Sequence, residues 1–132
     1  MADTVEKQSV IFGKILYFFA AYTVLIKYLL PVAWALHQKA ALTTYIYFWD
    51  AWWIAHLAVG TGLVLRKKGV WLWALLLTAA EIIIITVKFY FYSKSPNLDF
   101  WHLNWFMNKS FMLIYFWVLL VWLFKKETRK FL

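Results

Sequence analysis

The sequence predicts an all-α membrane protein, four transmembrane helices in a bundle with both termini cytoplasmic. Three observations predict it. The 132 residues are 65% hydrophobic and 23% aromatic, where soluble domains run at about 45–50% apolar. Four apolar runs of roughly 20 residues take up most of the length. The basic residues gather at the ends of those runs, as topology determinants do. Little chain is left over for a soluble part, so residues 1–132 read as a single transmembrane domain.

Residues 1–9 read as a short polar tail, with Ser9 placed to cap the helix that follows. Asp3 and Glu6 near the start, and an apolar run longer than an h-region, argue against a cleavable signal peptide. The first span runs from about 10 to 36. Its 27 residues would extend about 40 Å, more than the hydrocarbon core, so a tilt or a protrusion is expected. Lys14 lies one turn inside and snorkels to the near surface. Lys27 is too deep for that and must reach the far surface or a partner. Pro31 removes one helical hydrogen bond and is expected to kink the outer end.

Residues 37–44 form the first loop. Span two runs from about 45 to 65 and enters through Tyr45, Tyr47, Phe48, Trp49, Trp52 and Trp53, an interfacial aromatic belt. Asp50 lies within the belt. Gly60 and Gly62, with Ala55 and Ala58, would let another helix approach closely. The turn Arg66-Lys67-Lys68-Gly69 leads into span three, about 70 to 92, which leaves through Phe89-Tyr90-Phe91-Tyr92. Residues 93–105 are the longest loop. Ser95-Pro96 is a fair helix start. The stretch 98–105 reads as a short interfacial helix or an extra turn of span four. Span four runs from about 106 to 124, and residues 125–130 close the chain as a basic tail.

Nine basic residues fall on the side shared by the N-terminus, the 66–69 turn and the C-terminus: Lys7, Lys14, Arg66, Lys67, Lys68, Lys125, Lys126, Arg129 and Lys130. Three fall on the other side: Lys39, Lys94 and Lys109. That bias places both termini in the cytoplasm. It also explains the net charge of +8 without a nucleic-acid partner. The expected partners are the lipid bilayer and other membrane subunits, and the expected location is the cell membrane, multi-pass. No internal repeat is visible, so an inverted-repeat transporter within one chain is not expected.

The sharpest polar feature is the pair His56 and Glu81. Each sits near the middle of its span. Folding the second and third spans at the 66–69 turn puts Glu81 opposite residue 54, with His56 about a turn away. Ionisable groups at that depth are costly unless they face protein, water or each other. One reading is a proton relay or a carboxylate of raised pKa. The plainer reading is a buried pair, within the chain or to a partner, that fixes packing. Lys27, Asp50 and Lys88 form a second group in the outer half. One carboxylate between two ammoniums would partly neutralise both. The plain reading is neutralisation with snorkelling, and the functional one is a path for an anionic or polar substrate.

Metal and cofactor chemistry finds little footing. With no cysteine, disulfides and thiolate sites are excluded. His37, His102 and Asp99 fall on the outer side, but no ligand spacing joins them into a zinc or copper site. Only His56 is deep, so a bis-histidine haem within the chain is not expected. A pigment or haem shared with a partner would need only that one histidine. No catalytic, cofactor-binding or metal residue is assigned to this chain.

The run Phe12-Gly13-Lys14-Ile15-Leu16-Tyr17-Phe18-Phe19 after a short polar start, and the segment Tyr45-Ile46-Tyr47-Phe48-Trp49-Asp50-Ala51-Trp52-Trp53, resemble the small accessory subunit, subunit X, of archaeal ammonia monooxygenase. The likeness is one of layout and covers most of the length. It implies a subunit of a copper-dependent membrane monooxygenase complex, with copper held mainly by other subunits, and carries over no residue role. The expected function is thus a non-catalytic subunit that stabilises or organises the catalytic subunits of a bioenergetic oxidoreductase complex. The alternative is a small homodimeric four-span transporter or channel with Glu81 as its coupling carboxylate. A third reading, a membrane enzyme using Asp50, Asp99 and His102, would need activity from the single chain.

Overall fold

The structure, a computed structural model, describes residues 2–39, 51–94 and 100–132. The expected first loop beyond residue 39, the belt at 45–49, Asp50, Ser95-Pro96 and Asp99 lie outside the described residues. Among the described residues the chain is helical throughout, with turns and no strand. It divides into two units, Asp3–Lys67 and Lys68–Leu132. Among the described residues three helices are long and apolar enough to cross a membrane: Asp3–His37, Val70–Ser93 and Trp105–Leu123.

In the first unit, α1 (Ala2–Val24) passes into a π-helical segment, Leu25–Leu29, and then into α2 (Leu30–His37). Residues 2–9 of the expected polar tail are instead the first turns of α1. Its residues tolerate helix, and Asp3 in the first turn complements the helix dipole. Ser9 is therefore not an N-cap. It lies inside the helix, fully buried, and its hydroxyl donates to the Leu63 carbonyl at 2.7 Å.

The disturbance expected at Pro31 is found as the π-helical segment just before it. Pro31 has no N–H to return, and its ring crowds the carbonyl four residues back. The preceding turn widens, and the Leu30 N–H bonds back to Leu25. α2 ends with Lys39 in the left-handed region, φ 53°, and the Lys39 N–H donates to the Leu36 carbonyl at 3.3 Å.

α3 (Trp52–Val64) is the described part of the expected second span. Its 13 residues extend about 20 Å, less than a hydrocarbon core. It crosses α1 where Gly13 and Gly60 meet. A Cβ on Gly13 would lie 2.7 Å from the Gly60 carbonyl oxygen and 2.7 Å from Val64 Cγ2. A Cβ on Gly60 would lie 3.0 Å from the Gly13 oxygen. The close approach expected of Gly60 is thus present, and its counterpart is another glycine.

Three side-chain bonds join α3 to α1 and to the π-helical segment that follows it. Besides Ser9, the Tyr17 hydroxyl donates to Thr61 Oγ1 at 2.9 Å, and Trp53 Nε1 donates to the Tyr28 hydroxyl at 3.3 Å.

α3 closes in a Schellman motif. Arg66 takes a left-handed φ of 53°, its N–H bonds Leu63 at 3.3 Å, and the Lys67 N–H bonds Gly62 at 2.9 Å. The Arg66 side chain turns back to Glu6, with Nη1 2.7 Å from the carboxylate.

In the second unit, α4 (Val70–Ser93) and α5 (Phe100–Leu123) form an antiparallel pair. α4 buries Val70, Ala74, Leu77, Thr78, Glu81 and Ile85, a stripe repeating every three or four residues. α5 buries Met112, Tyr115, Phe116, Leu119, Trp122 and Leu123 on the same period. One end of the pair is closed by rings: Phe89 lies 5.2 Å from Phe106, and Tyr92 4.4 Å from Trp105. Offset and tilted ring pairs of this kind add to the area they bury. α5 begins at Phe100, so the stretch expected as an interfacial helix or an extra turn proves continuous with span four from that residue.

The opposite end of the pair is closed differently. Trp71 Nε1 donates to the Leu123 carbonyl at 2.8 Å, satisfying one of the last orphan carbonyls of α5. The expected basic tail is folded into α6 (Lys126–Phe131). The Gly69 N–H donates to the Leu132 carbonyl at 3.0 Å, and the Arg129 guanidinium lies over the Trp71 ring at 5.1 Å.

Candidate functional site

Each expected polar residue has a distinct setting. His56 sits in the second turn of α3 and is 2% exposed. It belongs to a buried stripe with Val59, Gly60 and Leu63. The glycine-lined crossing described above lies one turn further along that stripe. Lys27 lies at the centre of the π-helical segment and is half-buried. A π turn splays its residues from the α-helical track, and such turns recur at functional positions.

Glu81 sits midway along α4 and is 3% exposed. Two observed contacts, Trp71 with Leu123 and Phe89 with Phe106, fix the antiparallel register of α4 and α5. That register sets Glu81 level with residues 112–116, the stretch holding the buried Met112, Tyr115 and Phe116. Thr78 lies one turn before Glu81 on the same face and is fully buried. Its hydroxyl has no hydrogen-bond partner among the described residues. Sequence reasoning passed over Thr78, yet the spacing of three was the available signal, since i and i+3 share a helix face.

Lys88 is exposed. It lies five residues before the end of α4 at Ser93, within reach of the interface by snorkelling. His37 is exposed at the end of α2, its ring 6.2 Å from that of Trp34. The backbone of His102 lies in α5. Among the described residues no three of His, Cys, Asp and Glu gather as a metal site would require.

These features define a class: a protein helical among the described residues, with His56 and Glu81 buried in apolar helices and three described helices long and apolar enough to span a bilayer. Comparison of the chain with protein-family models, with curated proteins and with solved structures finds no match.

Proposed function

We propose that the chain is a non-catalytic integral-membrane subunit of a larger bioenergetic oxidoreductase complex in the cell membrane. The resemblance noted above points to a copper-dependent ammonia monooxygenase, with copper held by partner subunits. In this reading the stretch containing α3 is the second of four spans, and both termini are cytoplasmic. His56, Glu81 and the group of Lys27, Asp50 and Lys88 then organise packing within the complex.

The observation that carries the reading is the locked crossing of α1 and α3. Backbone comes against backbone at Gly13 and Gly60, Ser9 and Tyr17 are bonded across the pair, and Tyr28 of the π-helical segment is bonded to Trp53. Helices joined in this way do not slide past each other, which suits a static scaffold better than an alternating gate. Large side chains such as Phe18, Trp73, Phe111 and Trp117 remain exposed along the long helices. They supply broad apolar surface for lipid and for neighbouring subunits.

Native mass spectrometry of the complex, extracted gently from its own membranes, tests the reading. Co-migration with larger metal-bearing subunits is the expected result. A homodimer with nothing else attached would overturn it. One observation favours the second reading, a homodimeric transporter: a carboxyl 3% exposed at the midpoint of a 24-residue apolar helix. In that case Glu81→Gln abolishes proton-coupled flux in vesicles while assembly persists.

A further inference from the structure

We infer that the α6 end of the second unit is a docking surface for anionic phospholipid headgroups, with Arg129 as its phosphate-selecting residue. The inference goes beyond the proposed subunit role and holds whatever partners the chain has.

The surface begins with charge. Lys68, Lys125, Lys126, Arg129 and Lys130 are all exposed, and Glu127 is the one acid among them. A free basic tail would spread these charges through solvent. Here the tail is folded and fixed. Lys125 takes an extended backbone, φ −65° and ψ 135°, and turns the chain sharply out of α5 into α6. Thr128 and Leu132 are buried beneath α6 and Phe131 is half-buried, so the remaining face of the helix is cationic. The Gly69 N–H holds the end of α6 through Leu132, which brings Lys68 to the same place.

The level of this surface is set by α4. Gly69 immediately precedes a 24-residue apolar helix, so the cluster lies where that helix would leave the hydrocarbon. Basic residues at that depth attract the anionic headgroups of the adjoining leaflet.

Arg129 adds geometry to charge. Its guanidinium lies over the indole of Trp71, and Trp71 is itself oriented by its bond to the Leu123 carbonyl. A cation–π contact of this kind occupies no hydrogen-bond acceptor and leaves guanidinium N–H groups to donate. A planar fork held on a ring suits two oxygens of a phosphodiester, which a lysine ammonium does not match. The ligand class is therefore a phosphodiester lipid with net negative charge.

The test titrates short-chain phosphatidylglycerol, and separately phosphatidylcholine, into the detergent-solubilised full chain, with bound lipid counted by native mass spectrometry. Wild type is expected to hold phosphatidylglycerol at least tenfold more tightly than phosphatidylcholine. Replacing Lys125, Lys126, Arg129 and Lys130 with Gln removes that preference, at about fivefold per charge. Lys7→Gln with Lys14→Gln, two exposed cations of the first unit, leaves it unchanged. Arg129→Lys keeps the charge and the fold and still weakens the preference severalfold. A preference unchanged in the fourfold variant overturns the inference, as does equal binding of the two lipids. An Arg129→Lys variant equal to wild type removes the selecting role of Arg129. Displacement of the lipid by millimolar inorganic phosphate would mark a site for the free ion and would also overturn the lipid surface.

Discussion

Gly13 and Gly60 show what a missing side chain can do. Each lets the other helix come close enough for backbone contact, and each would meet backbone if it gained a methyl. The contacts are unequal, 2.7 Å at Gly13 against 3.0 Å at Gly60. Gly13→Ala should therefore destabilise the chain by about 1–3 kcal/mol, the cost of overpacking, and Gly60→Ala by less. Unfolding midpoints of the two variants in the same detergent check the order as well as the size. Ser9 acts at the same crossing. Its bond to Leu63 joins two buried groups, and hydrogen bonds between membrane helices average only about 0.6 kcal/mol. Ser9→Ala should cost about that much or slightly more, measured in the same way. A loss above that of Gly13→Ala would contradict the view that backbone contact dominates this crossing.

Among the elements, the end of α3 carries a tension between backbone and side chain. Arg66 occupies a left-handed conformation that costs a non-glycine residue about 1–2 kcal/mol. The same residue makes an ion pair with Glu6 in which both side chains are nearly half-exposed, 48% and 42%. Pairs so exposed contribute little and are screened by salt. Arg66→Gly should therefore be close to neutral at low ionic strength and stabilising at 0.5 M salt as an order-of-magnitude screening condition. Unfolding midpoints at the two salt concentrations give the sign. Gly69 presents the simpler case. With φ 83° and nothing near its Cβ position, Gly69→Ala pays only the backbone cost and should destabilise by about 1 kcal/mol.

At the level of the whole molecule, the absence of native cysteine makes single-cysteine labelling unambiguous. α4 and α5 are antiparallel, so Lys68→Cys and Lys126→Cys should label from one side of a sealed vesicle and Lys94→Cys from the other. If the first unit contributes two spans, as the four-span reading requires, Glu6→Cys labels with Lys68→Cys. Labelling of Glu6→Cys from the opposite side would leave three spans. The apolar runs made α4 and the core of α5 legible from composition, because a bilayer demands length and hydropathy above all. The start of α1 was not. Ser9 reads equally as a cap or as interhelical glue, and only the neighbouring carbonyl decides. The docking of α6 was also hidden, because it depends on a Gly69 amide and a Trp71 ring far away in sequence.

The π-helical turn at Leu25–Leu29 closes its hydrogen-bonded ring with one residue more than an α-helical turn needs. The helix thus carries slack at a single place along its length. Removing one residue between 25 and 29 should let that turn wind as ordinary α-helix, with α2 keeping its facing. Removing one residue between Ser9 and Ala20 has no such reserve, and would swing Gly13 or its partners off the crossing by about 100°, one residue's share of a 3.6-residue turn. Tolerance to single deletions, scored by folded yield along Asp3–His37, should accordingly peak in those five residues.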